Sequence, residues 1–259
     1  MNSSRPRTAP RPVHRRPDAF TLIELLVVIS IIAVLAGLVV GLAPMANRRM
    51  KEARVRAELA ALVSAIDAYK AKYGVFPPDN YDPVRKQSNP VLNPLFYELT
   101  GVLVDNQRQK LVTVDDNVAI DPNVFLRYFG REGVLNSVPR IPGSNADQVR
   151  LDREQKKALM RREFKPSQYA EVFRGRNVPG YVDLEVLALG YSGDASGKRG
   201  NGIPWPGAIA PNQHPVPTNP GLNPWRYVST NPTNNPGRYD LWAELPSGRG
   251  GNVLIIGNW

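Results

Sequence analysis

The stretch Phe20-Thr21-Leu22-Ile23-Glu24-Leu25-Leu26-Val27-Val28-Ile29 begins an apolar run that continues to Leu42. Between Phe20 and Met45 the only ionisable side chain is Glu24. A helix rises ~1.5 Å per residue, so this run is long enough to cross a hydrocarbon core of ~30 Å. We therefore predict a transmembrane helix over residues 20–45. The basic, proline-rich residues 1–19 are predicted to be a cleaved leader.

The single carboxylate argues for more than a membrane anchor. A charge at this depth costs about 2.5–3.5 kcal/mol on insertion scales, and a plain anchor has no use for it. A cut just before Phe20 would expose an α-amine, which is the natural partner for the Glu24 carboxylate at low dielectric. The sequence therefore predicts processing at the boundary between Ala19 and Phe20.

Residues 20–29 resemble the N-terminal signature of type IV pilins and of the pseudopilins of type II secretion. The resemblance implies that a prepilin peptidase cuts between Ala19 and Phe20 and that the Phe20 amine is methylated. It also implies that Glu24, with the Phe20 amine, guides docking in a helical filament. Ala19 stands where the family usually has Gly, the smallest change available, so cleavage is still expected. The alternative is an uncleaved signal anchor.

Small residues recur within the apolar run. Ala33, Gly37 and Gly41 are four apart and would share one helical face, where they favour close helix packing or are simply small residues. Gly37, Gly41 and Pro44 also weaken this part of the helix. The resemblance implies that a filament can melt the helix here, near residues 37–44.

The predicted fold class is α+β and pilin-like: a long N-terminal helix packs on a small antiparallel sheet, and a large irregular insertion separates the two. Residues 46–76 form the amphipathic half of the helix, with a free coiled coil as the alternative. Its apolar stripe comprises Val55, Leu59, Leu62, Ile66, Tyr69 and Tyr73, and Gly74 ends it.

The insertion spans residues 77–221 and the sheet spans residues 222–259. Within the insertion we predict helices over Leu92–Leu99, Pro122–Phe129 and Asp152–Phe164, with Asp152 as an N-cap, and a strand over Val182–Leu189. The sheet comprises Trp225–Ser229, Tyr239–Leu245 and Val253–Ile256. The segments around Trp225, Tyr239–Trp242 and Asn258-Trp259 resemble the end of a major pseudopilin.

Composition limits how the part of the chain that follows the apolar run, here called the head, can be stabilised. The 259 residues include no Cys, which excludes disulfides and lipid attachment through an N-terminal Cys. The leader contributes +4 of the net charge of +10, so the processed chain is only mildly basic and does not require a nucleic-acid partner.

We expect no enzyme activity and no cofactor. His14 leaves with the leader, His214 is isolated in a proline-rich loop, and the glycine-rich segments 190–193 and 197–202 lack catalytic or phosphate-binding spacing. Asp115-Asp116-Asn117 with Asp121 and Asn123 fits a turn better than a cation site. The resemblance implies a calcium site before the terminal Asn-Trp, but no carboxylate follows Glu244. We therefore judge that metal site lost.

The predicted function is that of a structural subunit of a type II secretion pseudopilus. The protein would be single-pass in the inner membrane, with its head in the periplasm. Its partners would be copies of itself in a filament, other pseudopilins, a prepilin peptidase, an inner-membrane assembly platform and lipid. The alternatives are a minor pseudopilin, a type IV pilin, or a membrane-anchored protein that binds DNA or an acidic ligand. The charges for that last class are Arg161, Arg162, Lys165, Arg174 and Arg176.

Overall fold

The computed structural model describes residues 20–107, 109–114, 119–173, 184–189, 203, 205–206, 216, 221–247 and 252–259, with the side chains of 39–44 left aside. The chain divides into two units, residues 1–50 and residues 51–259. The predicted leader, including Ala19, lies outside the described residues.

The described residues form an α+β fold. The helices are α1 (Leu22–Tyr73), α2 (Leu95–Thr100), α3 (Pro122–Phe129) and α4 (Ala146–Ala158). The strands are β1 (Tyr81–Asp82), β2 (Gln87–Ser88), β3 (Val102–Asp105), β4 (Lys110–Thr113), β5 (Ala119–Ile120), β6 (Ser137–Pro139), β7 (Tyr169–Phe173), β8 (Leu184–Leu187), β9 (Arg226–Val228), β10 (Asp240–Pro246) and β11 (Val253–Gly257).

Helix α1 continues without a break through Gly37, Gly41 and Pro44. It ends where predicted, because Gly74 adopts a left-handed φ of 77° and its N–H donates to the Lys70 carbonyl at 2.9 Å. Among the described residues, no helix combines the length and the apolar character that crossing a membrane requires. The transmembrane assignment of residues 20–45 therefore stays a prediction.

The predicted apolar stripe of α1 forms part of the main hydrophobic core of residues 51–259. Its members Val55, Leu59, Leu62, Ile66 and Tyr69 are buried, and Tyr73 packs against the same core while half-exposed. Ile66 and Tyr69 have no solvent exposure, which burial of one helical face produces. The amphipathic half of the helix is thus confirmed, and the free coiled coil is wrong.

The C-terminal sheet is also confirmed. Its strands are ordered β11–β10–β9 and all pairs are antiparallel. Tyr227, Leu241 and Ala243 are fully buried and point into the same core as the α1 stripe. Alternating burial along β10 places the other side chains, among them Trp242 and Glu244, on the outer face.

The insertion contains more regular structure than the sequence predicted. A four-stranded sheet with the order β5–β4–β3–β6 includes one parallel pair, β3 with β6. Its strands have only two to four residues, too few for alternation to identify them in the sequence. Helix α3 has its predicted bounds: Asp121 caps its start and Gly130, with φ of 68°, ends it. Helix α2 begins later than predicted, after Pro94.

The predicted helix over Asp152–Phe164 is wrong in both bounds. Helix α4 starts six residues earlier, because the Asn145 side chain accepts the Gln148 N–H at 2.8 Å and acts as the N-cap. It ends before Leu159, which is extended and buried. Beyond it, the Arg162 N–H donates to the Leu99 carbonyl at 2.9 Å, so tertiary contacts replace the helix. Of the predicted strand Val182–Leu189, the structure shows β8, and residues 182–183 lie outside the described residues.

Candidate functional site

The start of α1 is closed by a reciprocal hydrogen-bond pair between Thr21 and Glu24. Glu24 Oε2 accepts from the Thr21 backbone N–H at 2.8 Å and from the Thr21 hydroxyl at 2.8 Å. The Glu24 N–H donates back to Thr21 Oγ1 at 3.3 Å. Because Leu22 is the first helical residue, Thr21 is the N-cap and Glu24 the third position of the helix, which defines a capping box.

This geometry gives Glu24 a partner that the sequence analysis missed. The predicted partner of its carboxylate was an amine at Phe20, four residues away, whereas in the structure the carboxylate accepts hydrogen bonds from Thr21, three residues away. Residue 20 is joined to residue 19 here, so its nitrogen is an amide rather than an amine. The sequence does contain the pattern that predicts this contact, because Thr-x-x-Glu before an apolar run predicts a capping box.

The side chains that follow are exposed on every side of the helix. Phe20 itself is 81% exposed. The other large apolar side chains exposed up to residue 38 are Leu22, Ile23, Leu25, Leu26, Val27, Val28, Ile29, Ile31, Ile32, Val34, Leu35 and Leu38. A helix that packs on a soluble core hides an apolar stripe and shows a polar one, and this segment does neither. Large exposed apolar surfaces of this kind mark sites of contact with a membrane or with other protein chains.

The small residues predicted to pack helices lie in this same segment. Ala33 and Gly37 are exposed, and a Cβ added to Gly37 would meet no atom within 4 Å. Both positions therefore leave room for a close neighbour, as helix packing requires. The surroundings of Gly41 and Pro44 lie outside the described residues, and the packing role of all four remains a prediction.

The C-terminal end is fixed to the sheet by Asn258. Its Oδ1 accepts the Leu241 N–H at 2.9 Å, and its Nδ2 donates to the Tyr239 carbonyl at 3.0 Å. The ring of Trp259 lies edge-on to that of Trp242, with centroids 5.9 Å apart. The Asn-Trp pattern therefore has a structural role: it closes the end of the chain onto β10.

The carboxylates near this sheet already have protein partners. Asp240 accepts the backbone N–H groups of Thr233, Asn234 and Asn235, each at 2.8 Å. Glu244 Oε1 pairs with Arg226 Nε at 3.0 Å.

Arg226 itself is an internal cation of this sheet, with a side chain only 3% exposed. Burial lowers the pKa of Arg226 to about 10, and Glu244 opposes that shift. The Arg226 guanidinium also lies 4.7 Å from the Trp205 ring centre. A positive charge therefore already occupies the space next to Glu244.

Most of the positions that the sequence analysis considered for metal binding or catalysis lie outside the described residues. Within the described residues, no three His, Cys, Asp or Glu side chains cluster as metal ligands would. Asp121 is the N-cap of α3, so its side chain has a local structural role. The other positions considered, namely His14, His214, residues 115–117, 190–193, 197–202 and 248–251, lie outside the described residues. The lost calcium site and the absence of enzyme activity stay predictions.

Comparison with known proteins identifies the N-terminal segment. Residues 15–40 match the family model described as the prokaryotic N-terminal methylation motif, which is the signature of type IV pilins and pseudopilins. The matched span contains Ala19, Phe20, Thr21 and Glu24, so it covers the capping box and the predicted cut. The search found no significant similarity to any curated protein or solved structure.

The chain thus carries the N-terminal signature of type IV pilins and pseudopilins, and the α+β fold of its described residues is consistent with a pilin-like fold. More particularly, the chain carries the signature that implies processing by a prepilin peptidase and assembly into filaments.

Proposed function

We propose that this pilin-like protein is a structural, non-catalytic subunit of a type II secretion pseudopilus. The precursor would be held in the inner membrane by residues 20–45, with the head, residues 51–259, in the periplasm. A prepilin peptidase would cut between Ala19 and Phe20, and the Phe20 amine would be methylated. The mature chain would then join copies of itself and other pseudopilins on an inner-membrane assembly platform.

The main observation that supports this proposal is the capping box inside the matched motif. The carboxylate of Glu24 is held at the first turn of α1, directly beside the residue that would become the new N-terminus. A carboxylate is favourable at a helix N-terminus, and a freed amine at residue 20 would add a second positive partner. The exposed apolar surface of residues 20–38 supports cover by lipid before assembly and by neighbouring helices after it.

The support for the type II assignment comes from the C-terminal end. Tyr239–Trp242 and Asn258-Trp259, the segments that resemble a major pseudopilin, are hydrogen-bonded to one another in the structure. They therefore form one closing unit. A minor pseudopilin or a type IV pilin would use the same N-terminal chemistry, so the test below addresses assembly itself.

The experiment substitutes Glu24 and follows four properties: insertion, cleavage, membrane retention and recovery of sheared filament. Glu24→Val removes a charge that is costly in lipid, so the variant should insert and be cleaved normally. It should nevertheless fail to enter filaments, because the partner for a neighbouring amine is gone. Glu154→Val, the same change on an exposed surface of α4, is the matched control and should assemble as wild type. Wild-type polymerisation of Glu24→Val would refute the docking role.

A second substitution separates docking from helix capping. Thr21→Val removes the hydroxyl that contacts Glu24 but leaves the carboxylate available to an amine. If Glu24 acted only as a cap, Thr21→Val and Glu24→Val would fail alike. We expect Thr21→Val to retain assembly at a reduced level, since an N-cap contributes about 1 kcal/mol.

Processing has its own test. Mass spectrometry of membrane-extracted protein should show a chain that begins with methylated Phe20. A functional form that begins with Met1 or Ala19 would contradict the proposal.

A further inference from the structure

A cavity of about 360 Å³ lies in the head, and none of its lining residues belongs to the C-terminal sheet. It is bounded by α2, by the extended segment that follows α4, and by β7 with β8. Its size is within the range of small-ligand sites, about 300–1,000 Å³. Nothing in the proposed structural role of the protein requires a cavity here.

One wall of the cavity is aromatic. The rings of Phe96 and Tyr169 have centroids 4.9 Å apart, and those of Phe96 and Phe164 have centroids 5.9 Å apart. Phe96 is buried, whereas Phe164 and Tyr169 are half-exposed at the cavity. The rings of Phe164 and Tyr169 are tilted by 38° and 36° to that of Phe96, so the three form an aromatic wall against which another ring can pack.

Arg162 supplies the polar feature of the site. Its guanidinium lies 5.4 Å from the ring centre of Phe164, and its backbone N–H is fixed to the Leu99 carbonyl at 2.9 Å. Its Nε is buried, and in the described part of the chain no acceptor lies within hydrogen-bond distance of it. A buried donor without an acceptor is costly, and Arg162 as a whole is half-exposed and lines the cavity. An acceptor that entered the cavity would therefore gain a charge-assisted hydrogen bond from the guanidinium group.

The charges around the cavity select among acceptors. Arg161 and Arg162 line it together with Glu163 and Glu185, so the two signs balance. The two glutamates repel a polyanion such as a phosphate chain or a nucleic acid. A single carboxylate attached to an apolar ring avoids most of that repulsion and matches both the aromatic wall and Arg162.

We propose that this cavity binds an aromatic group that carries a carboxylate. The ring stacks on the wall of Phe96, Phe164 and Tyr169, and the carboxylate accepts from Arg162. The same chemistry is available from two sources, a free aromatic acid or a segment of a partner protein with adjacent aromatic and acidic residues. The inference does not depend on filament assembly.

The test titrates the full-length protein in detergent by calorimetry with indole-3-acetate. A second titration uses the capped peptide acetyl-Gly-Asp-Trp-Gly-amide, and a third uses indole-3-acetamide, which keeps the ring but lacks the charge. We expect saturable binding of the acid, the peptide or both, and at least about tenfold weaker binding of the amide. Binding of the acid alone identifies a small-molecule site, and binding of the peptide alone identifies a site for a protein segment. Absence of binding by both overturns the proposal.

Variants then locate the site. Arg162→Gln should weaken binding about tenfold or more, whereas Arg127→Gln, the same charge change on the exposed surface of α3, should leave it unchanged. Phe164→Leu tests the aromatic wall independently and keeps the proposal testable if Arg162→Gln does not fold. Unchanged affinity in either folded variant would place the ligand elsewhere and overturn the assignment.

Discussion

The head should depend strongly on Asn136, which is fully buried and whose side chain makes four hydrogen bonds. Its Nδ2 donates to the Glu98 carbonyl at 2.9 Å and to the Met160 carbonyl at 2.7 Å. Its Oδ1 accepts from the Tyr73 hydroxyl at 2.5 Å and from the Met160 N–H at 3.0 Å. One side chain therefore joins the end of α1, helix α2 and the segment that follows α4.

The substitution Asn136→Ala removes all four bonds and leaves their partners inside the head. At about 1 kcal/mol per bond, the free energy of unfolding should fall by about 4 kcal/mol. That is a large part of the total of about 5–15 kcal/mol that ordinary domains possess. For a unit of this size the melting temperature should fall by about 8–16 °C, at about 2–4 °C per kcal/mol.

The assay is urea unfolding of the full-length protein in detergent, followed by near-ultraviolet circular dichroism. The matched control is Asn123→Ala, which removes an exposed amide from α3 and should change stability by less than about 0.5 kcal/mol. A loss below about 1 kcal/mol for Asn136→Ala, with an unchanged m-value, would refute the claim that this side chain joins the three segments.

Three further predictions concern the same unit. Burial raises the pKa of Glu98, although hydrogen bonds from Tyr69 and two backbone N–H groups oppose the shift. The protonated Glu98 therefore stabilises the fold fully at pH values below its ordinary pKa, and this contribution is lost as the pH rises through the raised pKa. The stability of wild type relative to Glu98→Gln, measured by urea unfolding, should therefore fall with rising pH. Gly130→Ala should cost about 1–3 kcal/mol in thermal melts, because φ is 68° and the new Cβ would lie 2.6 Å from Asn80 Oδ1. Glu244→Gln should cost about 2–4 kcal/mol in urea unfolding, since it leaves the buried charge of Arg226 without its ion-pair partner.

Each of these predictions has an outcome that would contradict it, and the last two also have a control variant. If the stability of Glu98→Gln relative to wild type declined with rising pH, the result would contradict a raised pKa of Glu98. Gly133→Ala is the control for Gly130→Ala, since its φ is not left-handed and an added Cβ meets no atom within 4 Å; equal losses would exclude strain at Gly130. Glu154→Gln, on an exposed surface, controls for Glu244→Gln, and an equal effect of both would show that Arg226 is not held by the pair.

The sequence alone predicted the features of this protein that depend on residues close together in the chain. The apolar stripe of α1, its end at Gly74 and the bounds of α3 follow from spacing, capping residues and glycine, all of which act within a few residues. The three C-terminal strands follow from β-rich runs between turns. The processing motif is likewise a contiguous pattern, and the family match to residues 15–40 agrees with it.

The tertiary structure decided what depends on partners distant in sequence. The strands from β3 to β6 are too short to show a periodicity, and they exist because each hydrogen-bonds to a neighbour. Helix α4 ends at Ala158 rather than Phe164 because Asn136 and Leu99 capture the backbone that follows it. The cavity beside Arg162 arises from the same capture, which brings Phe164 against Phe96, 68 positions earlier in the chain. Local propensity carries no information about such contacts. The sequence therefore determined α1, its motif, α3 and the C-terminal strands, whereas long-range hydrogen bonds and ring contacts decided where α4 ends and how the segment after it packs.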